Sequence, residues 1–402
     1  MKIVLIGCFA LRPRGTMSAR AIPMAKALAK RGHSVTVLIP PYDNLADSGK
    51  RYVEEGVEIR HLRISGLRYA YKLYTSVELI RQTLSFGPDI VHLFKPIGYP
   101  GIAGIFLELF TRIPFVVDCD DWEGKGGWAD TIKRSRMWKA LITFQERFIP
   151  RHADAVTVAS KTLETVMWAW GIEPGRVFYV PNGPKDMFRQ LVEIAEGTRT
   201  RLRRDLGICH LPTIGYIGHI SRGDDWDILL NALPAVIREV GEVRVLVAGE
   251  GEGLGDLKRE INCRGLDKYF VFSGRVPHDS ALLYLSIVDV AIYPYRDTPV
   301  KRAKCSAKIH DYMAAGKVIV TNAVGQNLEY IEHMRSGYLA RPGDVVDFAR
   351  GVTMLLSNQA LATRMGMAAR ERVWKLFSWD RLILTVEVAY QTAICNSNKS
   401  TR

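Results

Sequence analysis

Cysteine is scarce in this chain and scattered. Six residues, at positions 8, 119, 209, 263, 305 and 395, include no pair in CxxC spacing, which argues against zinc and dithiol frameworks. Cys8 and Cys119 fall in or beside apolar, strand-like runs, so buried thiols and a reducing cytoplasm are expected. Long apolar runs are also missing. No uninterrupted stretch approaches the ~20 residues that span a bilayer, and the longest candidate, Gly101 to Phe110, is short and carries Glu108. The opening Met1-Lys2-Ile3-Val4-Leu5-Ile6-Gly7 holds too short an apolar run for a signal peptide. There are no short-period repeats, no low-complexity segments and no recognisable nucleic-acid-binding module, so a nucleic-acid partner is not expected.

What is present suits a soluble two-domain chain. The 402 residues are 48% hydrophobic, too long for one ordinary domain and able to bury two cores. The formal net charge is +13, and it is uneven: residues 1–190 hold 27 Lys/Arg against 18 Asp/Glu, the rest 28 against 24. A basic first half suits a phosphorylated substrate or an acidic membrane surface, and equally a solvated basic exterior.

Short apolar runs alternate with amphipathic stretches. Residues 3–6 read as a strand covered on both faces. A loop with Pro13 and Gly15 follows, then helical spacing over 18–31 stopped by Gly32, then a strand at 35–39. This is a βαβ unit, which implies a parallel sheet with right-handed crossovers. Further strands are predicted at 90–94, 115–117, 155–159 and 177–180, with helices at 138–149 and 162–170. Pro181-Asn182-Gly183-Pro184 reads as a linker. A second series follows, with strands at 213–217, 243–248, 270–272, 288–293 and 318–321. Its helices fall at 226–240, 307–315, 345–356 and 360–376, and the tail from 379 to 392 is helical. The expected organisation is a domain over 1–185, a second over 186–376, and a C-terminal helix over 377–402 packing back toward the first.

In open parallel sheets, ligands sit outside the carboxyl ends of the strands, so the loops there carry the candidates. In the first, 8–17, Gly15 admits close backbone approach, the helix after it offers free N–H groups, and Arg12, Arg14 and Arg20 add charge. The second, Asp118-Cys119-Asp120-Asp121-Trp122-Glu123, places four carboxylates in six residues. These must be hydrogen-bonded, protonated or cation-paired, and such spots hold general bases, metal ligands or plain ion pairs with nearby arginines. The third, Gly249-Glu250-Gly251-Glu252-Gly253, is ill suited to wrapping a phosphate because of its glutamates. The fourth, 306–317, sets Lys308 and Asp311 three apart on one helix face. There the lysine can reach a phosphate and the carboxylate a ribose hydroxyl, or the two can form a surface ion pair. In the fifth, Gly325 and the N–H groups after it could line an anion site, with Glu329 available to a sugar. Two basic, aromatic stretches, Arg60 to Arg81 and Arg134 to Arg151, suit a membrane interface or helices with one face in a core.

The order and spacing of these blocks resemble family 4 of the retaining glycosyltransferases with the GT-B fold. The likeness runs through Met24 to Val37, Pro88-Asp89-Ile90-Val91-His92, Val180-Pro181-Asn182-Gly183, Asp227 to Ala232, Val247 to Gly251, Phe272 to Val276 and, most strongly, Lys308 to Val320. It implies two facing Rossmann-like domains with parallel sheets and a cleft between them. It also implies an acceptor-binding first domain, a nucleotide-sugar-binding second domain, and metal-independent transfer with retention to a glycan, lipid-linked or small-molecule acceptor. By this resemblance Gly15, Lys308, Asp311, Gly325 and Glu329 contact the donor, and His219, Arg222, Gln326, Asn327 and Leu328 beside them are counted with the donor site. Lys308 serves in catalysis with Asp120 and Asp121. The chain departs from the family pattern at four positions. The first glutamate of E-x7-E falls at Ala303. The strand-end Arg and Lys fall at His219 and Asp224, leaving Arg222, Lys301 or Lys304 to substitute. The histidine after the 115–117 strand falls at Asp120. Those losses leave two further readings open: a sugar-nucleotide 2-epimerase of the same fold, or a degenerate protein that only binds. Peripheral attachment to the inner face of the plasma membrane is a further expectation from charge.

Overall fold

The computed structural model describes residues 1–11, 15–41, 43–63, 71–189, 194–277 and 280–399. The chain divides into two α/β units. One comprises Met1–Gly183, Arg302–Cys305 and Ser378–Arg402; the other comprises Pro184–Lys301 and Ser306–Phe377. The C-terminal helix Trp379–Lys399 therefore belongs to the first unit, as does a four-residue insert from the middle of the chain.

The first unit is built on an eight-stranded sheet. Its strands are β1 (Lys2–Ile6), β2 (Ser34–Ile39), β3 (Arg51–Glu54), β4 (Val57–His61), β5 (Ile90–Phe94), β6 (Phe115–Cys119), β7 (Ala155–Val158) and β8 (Val177–Tyr179), in the order β3-β4-β2-β1-β5-β6-β7-β8. Residues of β1, β5 and β6 are buried almost without exception, which is why they read as mostly apolar runs, broken only by His92 and Asp118, rather than alternating ones. The sheet is not wholly parallel. β3 runs antiparallel to β4, joined at Glu55 and Gly56, both at positive φ (47° and 80°), the backbone that a two-residue hairpin needs.

Two cores flank this sheet. On one face the helices Ile22–Lys30 and Trp379–Lys399 bury Met24, Leu28, Ile383, Val386 and Tyr390. On the other, Gly98–Phe110, Arg136–His152 and Lys161–Ala169 contribute Ala103, Leu107, Ile149, Leu163 and Met167. The Gly98–Phe110 and Arg136–His152 helices approach closely. A Cβ on Gly101 would lie 2.6 Å from the Gln145 side chain, and one on Gly104 would lie 3.1 Å from Ile149.

The second unit has a six-stranded, wholly parallel sheet. Its strands are β9 (Thr213–Ile217), β10 (Arg244–Ala248), β11 (Phe270–Gly274), β12 (Val290–Tyr293), β13 (Ile319–Asn322) and β14 (Tyr338–Ala340), in the order β11-β10-β9-β12-β13-β14. Strand order reverses at β1/β5 in the first unit and at β9/β12 in the second. Those are the topological switch points, where a doubly wound sheet opens a crevice for ligands.

Candidate functional site

In the second unit the β9/β12 switch point is furnished by Tyr216 from β9, Tyr293 from β12 and Lys308 from the helix Ala307–Ala314. The Lys308 ammonium lies 5.2 Å from the Tyr216 ring centre and 5.1 Å from that of Tyr293, close enough for attraction to both ring faces. Among the described residues it forms no ion pair. Gly218 closes the site beneath it. Its φ is +137°, and a Cβ there would come within 3.0 Å of Lys308 Cε, so glycine both permits the backbone turn and leaves room for the lysine.

Neighbouring cations are spent otherwise. Lys301 donates to the Gly223 carbonyl at 2.6 Å and pairs with Asp225 at 3.0 Å. Arg222 is exposed and lies 3.5 Å from Asp256. His219 is exposed and pairs with Glu252 at 2.9 Å. Asp224 stands where the resemblance would place a lysine, and it braces the loop by accepting from the Tyr216 hydroxyl at 2.7 Å and from the Ser221 N–H at 2.8 Å. The glycine run is structural. A Cβ on Gly249 would lie 1.9 Å from the Gly218 carbonyl oxygen and one on Gly251 2.0 Å from that of Ile220, so the loop is laid against the backbone after β9.

Lys308 and Asp311 share a helix face but not an ion pair. Asp311 is buried and pairs with Lys185 at 2.8 Å, with His310 Nδ1 at 3.2 Å on its other oxygen. Burial alone would raise its pKa; Lys185 and His310 outweigh that and hold it down at about 2. In the loop after β13, Gly325 has φ +51°, and its N–H has no hydrogen-bond partner among the described residues. Asn327 turns inward and donates to Thr321 Oγ1 at 3.0 Å and to the Asn322 carbonyl at 3.1 Å. Gln326 is buried, Glu329 half-buried and Leu328 exposed.

The first unit's switch point, β1/β5, also carries a lysine, and its surroundings are the opposite. Lys95 follows β5 directly, is 3% exposed, and adopts φ +59°, a left-handed conformation uncommon for a non-glycine. Its ammonium meets Asp120 at 3.0 Å, Asp121 at 2.7 Å and Glu123. Burial works against its charge, but the three carboxylates more than restore it, and its pKa rises well above the ordinary lysine value. Asp120 also accepts from Thr16 Oγ1 at 3.0 Å. Burial, with Asp121 and Asp118 nearby, pushes Asp120 up to about 6 even though Lys95 pulls the other way. Beneath this cluster Glu146 accepts the N–H groups of Glu123 and Gly124, and burial lifts it to about 7.

Two expectations need correction here. Asp118 is not in a loop, because β6 continues through Cys119 and carries it inside. Arg20 is not an anion-binding cation. It is 1% exposed, makes a two-pronged pair with Asp118 (2.7 and 2.6 Å), and donates to the Val180 carbonyl. Arg12 and Arg14 lie outside the described residues; Gly15 is exposed. Among the described residues no group of three or more His, Cys, Asp or Glu side chains is arranged to hold a metal ion.

Sequence reasoning missed Lys95, Thr16, Lys185 and the two tyrosines. Lys95 alone carried a usable signal, standing at the carboxyl end of a strand next to the first.

A family model described as "Glycosyl transferase 4-like domain" matches residues 15–183, and one described as "Glycosyl transferases group 1" matches 211–358. The chain is similar to 2-deoxystreptamine glucosyltransferase of Streptomyces kanamyceticus, 27% identical over 236 residues, covering 59% of this chain and 60% of that protein. It is 22% identical to an uncharacterized glycosyltransferase of Methanocaldococcus jannaschii, covering 98% of this chain and 99% of the relative. Among solved structures, Anabaena HepE with UDP-glucose superposes with a TM-score of 0.70 at 17% identity, covering 98% of each chain. Sucrose-phosphate synthase of Thermosynechococcus elongatus superposes with a TM-score of 0.74 at 18% identity, covering 97% of this chain and 98% of that one. The two α/β units with parallel-dominated sheets match those of GT-B glycosyltransferases, and the chain belongs to the family 4-like, group 1 glycosyltransferases.

Proposed function

We propose that the enzyme moves a sugar from a nucleoside-diphosphate-sugar donor to a glycan, lipid-linked or small-molecule acceptor, with retention of configuration and without a metal ion. The observation that carries the donor assignment is the contrast between the two switch-point lysines. Lys95 faces three carboxylates, and Lys308 faces none among the described residues. A diphosphate goes to the cation whose charge is unspent, so the second unit is the donor-binding one. The leaving diphosphate gains negative charge as the glycosidic bond breaks, and a fixed ammonium stabilises that charge where it develops. The free Gly325 N–H suits the same anion. Asp311, fixed and ionised, suits a ribose hydroxyl. The first unit supplies carboxylates, Asp120 and Asp121, fit to accept from sugar or acceptor hydroxyls, and it acts as the acceptor-binding unit. That HepE is solved with UDP-glucose agrees with this reading of the donor.

The test is thermal unfolding with UDP, GDP, ADP and TDP, each with EDTA and with magnesium. A ligand at 100 times its Kd stabilises by about 2.7 kcal/mol, a shift of several degrees for units of this size. We expect one base to shift the transition equally in EDTA. A shift seen with magnesium only would refute metal independence, and no shift with any of the four would refute the donor class.

Asp120 gives a second expected result. The transfer rate falls as pH drops through about 6 and this carboxylate takes up a proton, and Asp120→Asn removes that limb from the pH profile at a lower plateau. The same group affects stability with a defined sign. Its folded pKa lies above the ordinary 3.8, so protonation favours the folded unit, and stability from this group grows as pH falls from about 6 towards 3.8. An unchanged acid limb in the Asn variant would remove Asp120 from the reaction.

A further inference from the structure

The helices Gly98–Phe110 and Arg136–His152 cover the same face of the first sheet and pack side by side through Gly101 and Gly104. Their inner faces are accounted for by that core. Their outer faces are not polar, as solvent-facing helix surfaces ordinarily are. On the second helix Met137 (83% exposed), Leu141 and Phe144 stand in the open at spacings of four and three, with Phe148 half-buried a turn further on. The rings of Phe144 and Phe148 stack at 5.1 Å. On the first helix Ile102, Leu109 and Phe110 (71% exposed) do the same.

Cations frame this apolar surface. Residues 125–151 hold seven Lys/Arg and two acidic residues. One of the two, Glu146, is turned inward onto backbone N–H groups. Arg136, Arg147 and Arg151 flank the Met137–Phe144 stripe by helical periodicity. Alongside opens a groove of about 580 Å³ lined by Lys125, Lys139, Arg147 and Arg151 with Phe144 and Asp130.

We propose that this two-helix face docks on an anionic lipid bilayer, with the exposed apolar side chains at the acyl boundary and the Lys/Arg rim among lipid phosphates. An exposed apolar stripe with arginines beside it, on a helix lying flat, is the composition that an interface between hydrocarbon and charged headgroups selects. A second copy of the same face is a poor occupant, because it brings the same excess of positive charge into contact with itself. Among the described residues no helix is long and apolar enough to cross a membrane, so the attachment is peripheral. The inference stands apart from the donor assignment.

The test is co-sedimentation of the full chain with phosphatidylcholine vesicles, with and without phosphatidylglycerol, at low and high salt. We expect binding to the anionic vesicles only, weakened by salt. Met137→Asp with Phe144→Asp should lower partition about tenfold or more, and Arg147→Glu about fivefold or more, both with unchanged thermal unfolding. Anionic-vesicle binding that both variants retain would overturn the proposal, as would no binding at low salt. A concentration-dependent dimer in sedimentation velocity, abolished by the same substitutions in a chain that ignores vesicles, would assign the face to self-association instead.

Discussion

Replacing Lys308 with alanine is expected to lower kcat/KM by about 10²–10³-fold, the cost of removing one preorganised donor from a developing anion, while the melting temperature falls by only about 2–4 °C. The first half of that expectation follows from chemistry. Lys308 has no described carboxylate partner, so its charge is available to a ligand. The second half follows from packing. The side chain is half-buried over two tyrosine rings, and an interaction of that kind contributes on the order of 1 kcal/mol to a partly exposed site. Lys301→Ala is the informative contrast. That lysine holds the Gly223 carbonyl and Asp225, so its loss loosens the loop after β9 and should show as lost stability. Rates within threefold of the parent for Lys308→Ala, measured with saturating acceptor, would remove the residue from catalysis.

The Arg20–Asp118 pair predicts the largest effect on folding. Both side chains are buried, at 1% and 0% exposure. Arg20 additionally reaches Asn182, and Asp118 accepts from Thr157 Oγ1 at 2.6 Å. Arg20→Met leaves a carboxylate in the sheet interior with its cation gone, and breaking such a pair costs about 3–5 kcal/mol. For a unit of this size that is a fall in melting temperature of roughly 10 °C. Arg20→Met with Asp118→Leu removes both charges and should recover much of the loss, because an apolar pair of similar volume needs no compensation. A single variant that melts within about 2 °C of the parent would show that water or a rearranged neighbour already satisfies Asp118.

What could be read in the sequence depended on how each element is buried. β1, β5 and β9 are enclosed on both faces and appear as apolar runs with sharp ends. β3, by contrast, is the exposed edge strand Arg-Tyr-Val-Glu, with neither a run nor a buried face to betray it. The helix Gly98–Phe110 hid behind Gly98, Pro100, Gly101 and Gly104, residues that ordinarily punctuate loops; two of those glycines are there because a neighbouring helix comes within Cβ distance. The helix Glu196–Asp205 buries no residue and so carries no stripe. The charged clusters were harder still. The four carboxylates at 118, 120, 121 and 123 demanded partners, but nothing local says that one would be an arginine 98 positions upstream and the others a single lysine after β5. Lys308 was found from its block, whereas its freedom from ion pairing is a property of the folded unit alone.

The first unit is discontinuous in sequence, and this has a consequence for synthesis. The face of its sheet opposite the Arg136–His152 helix is completed by Trp379–Lys399. There the Tyr390 hydroxyl and the buried His92 imidazole lie 2.9 Å apart, and Glu387 meets Arg31 and His33 at 2.6 and 3.0 Å. Those residues leave the ribosome only after positions 184–377 have been translated, roughly 10–40 s later at ordinary elongation rates. Throughout that interval the part of the sheet that this helix covers, with Val116 of β6 and Ala155 of β7, stays open on that face of the nascent first unit. The first unit to emerge is therefore the last to be finished, and it is the one that a chaperone would need to shield.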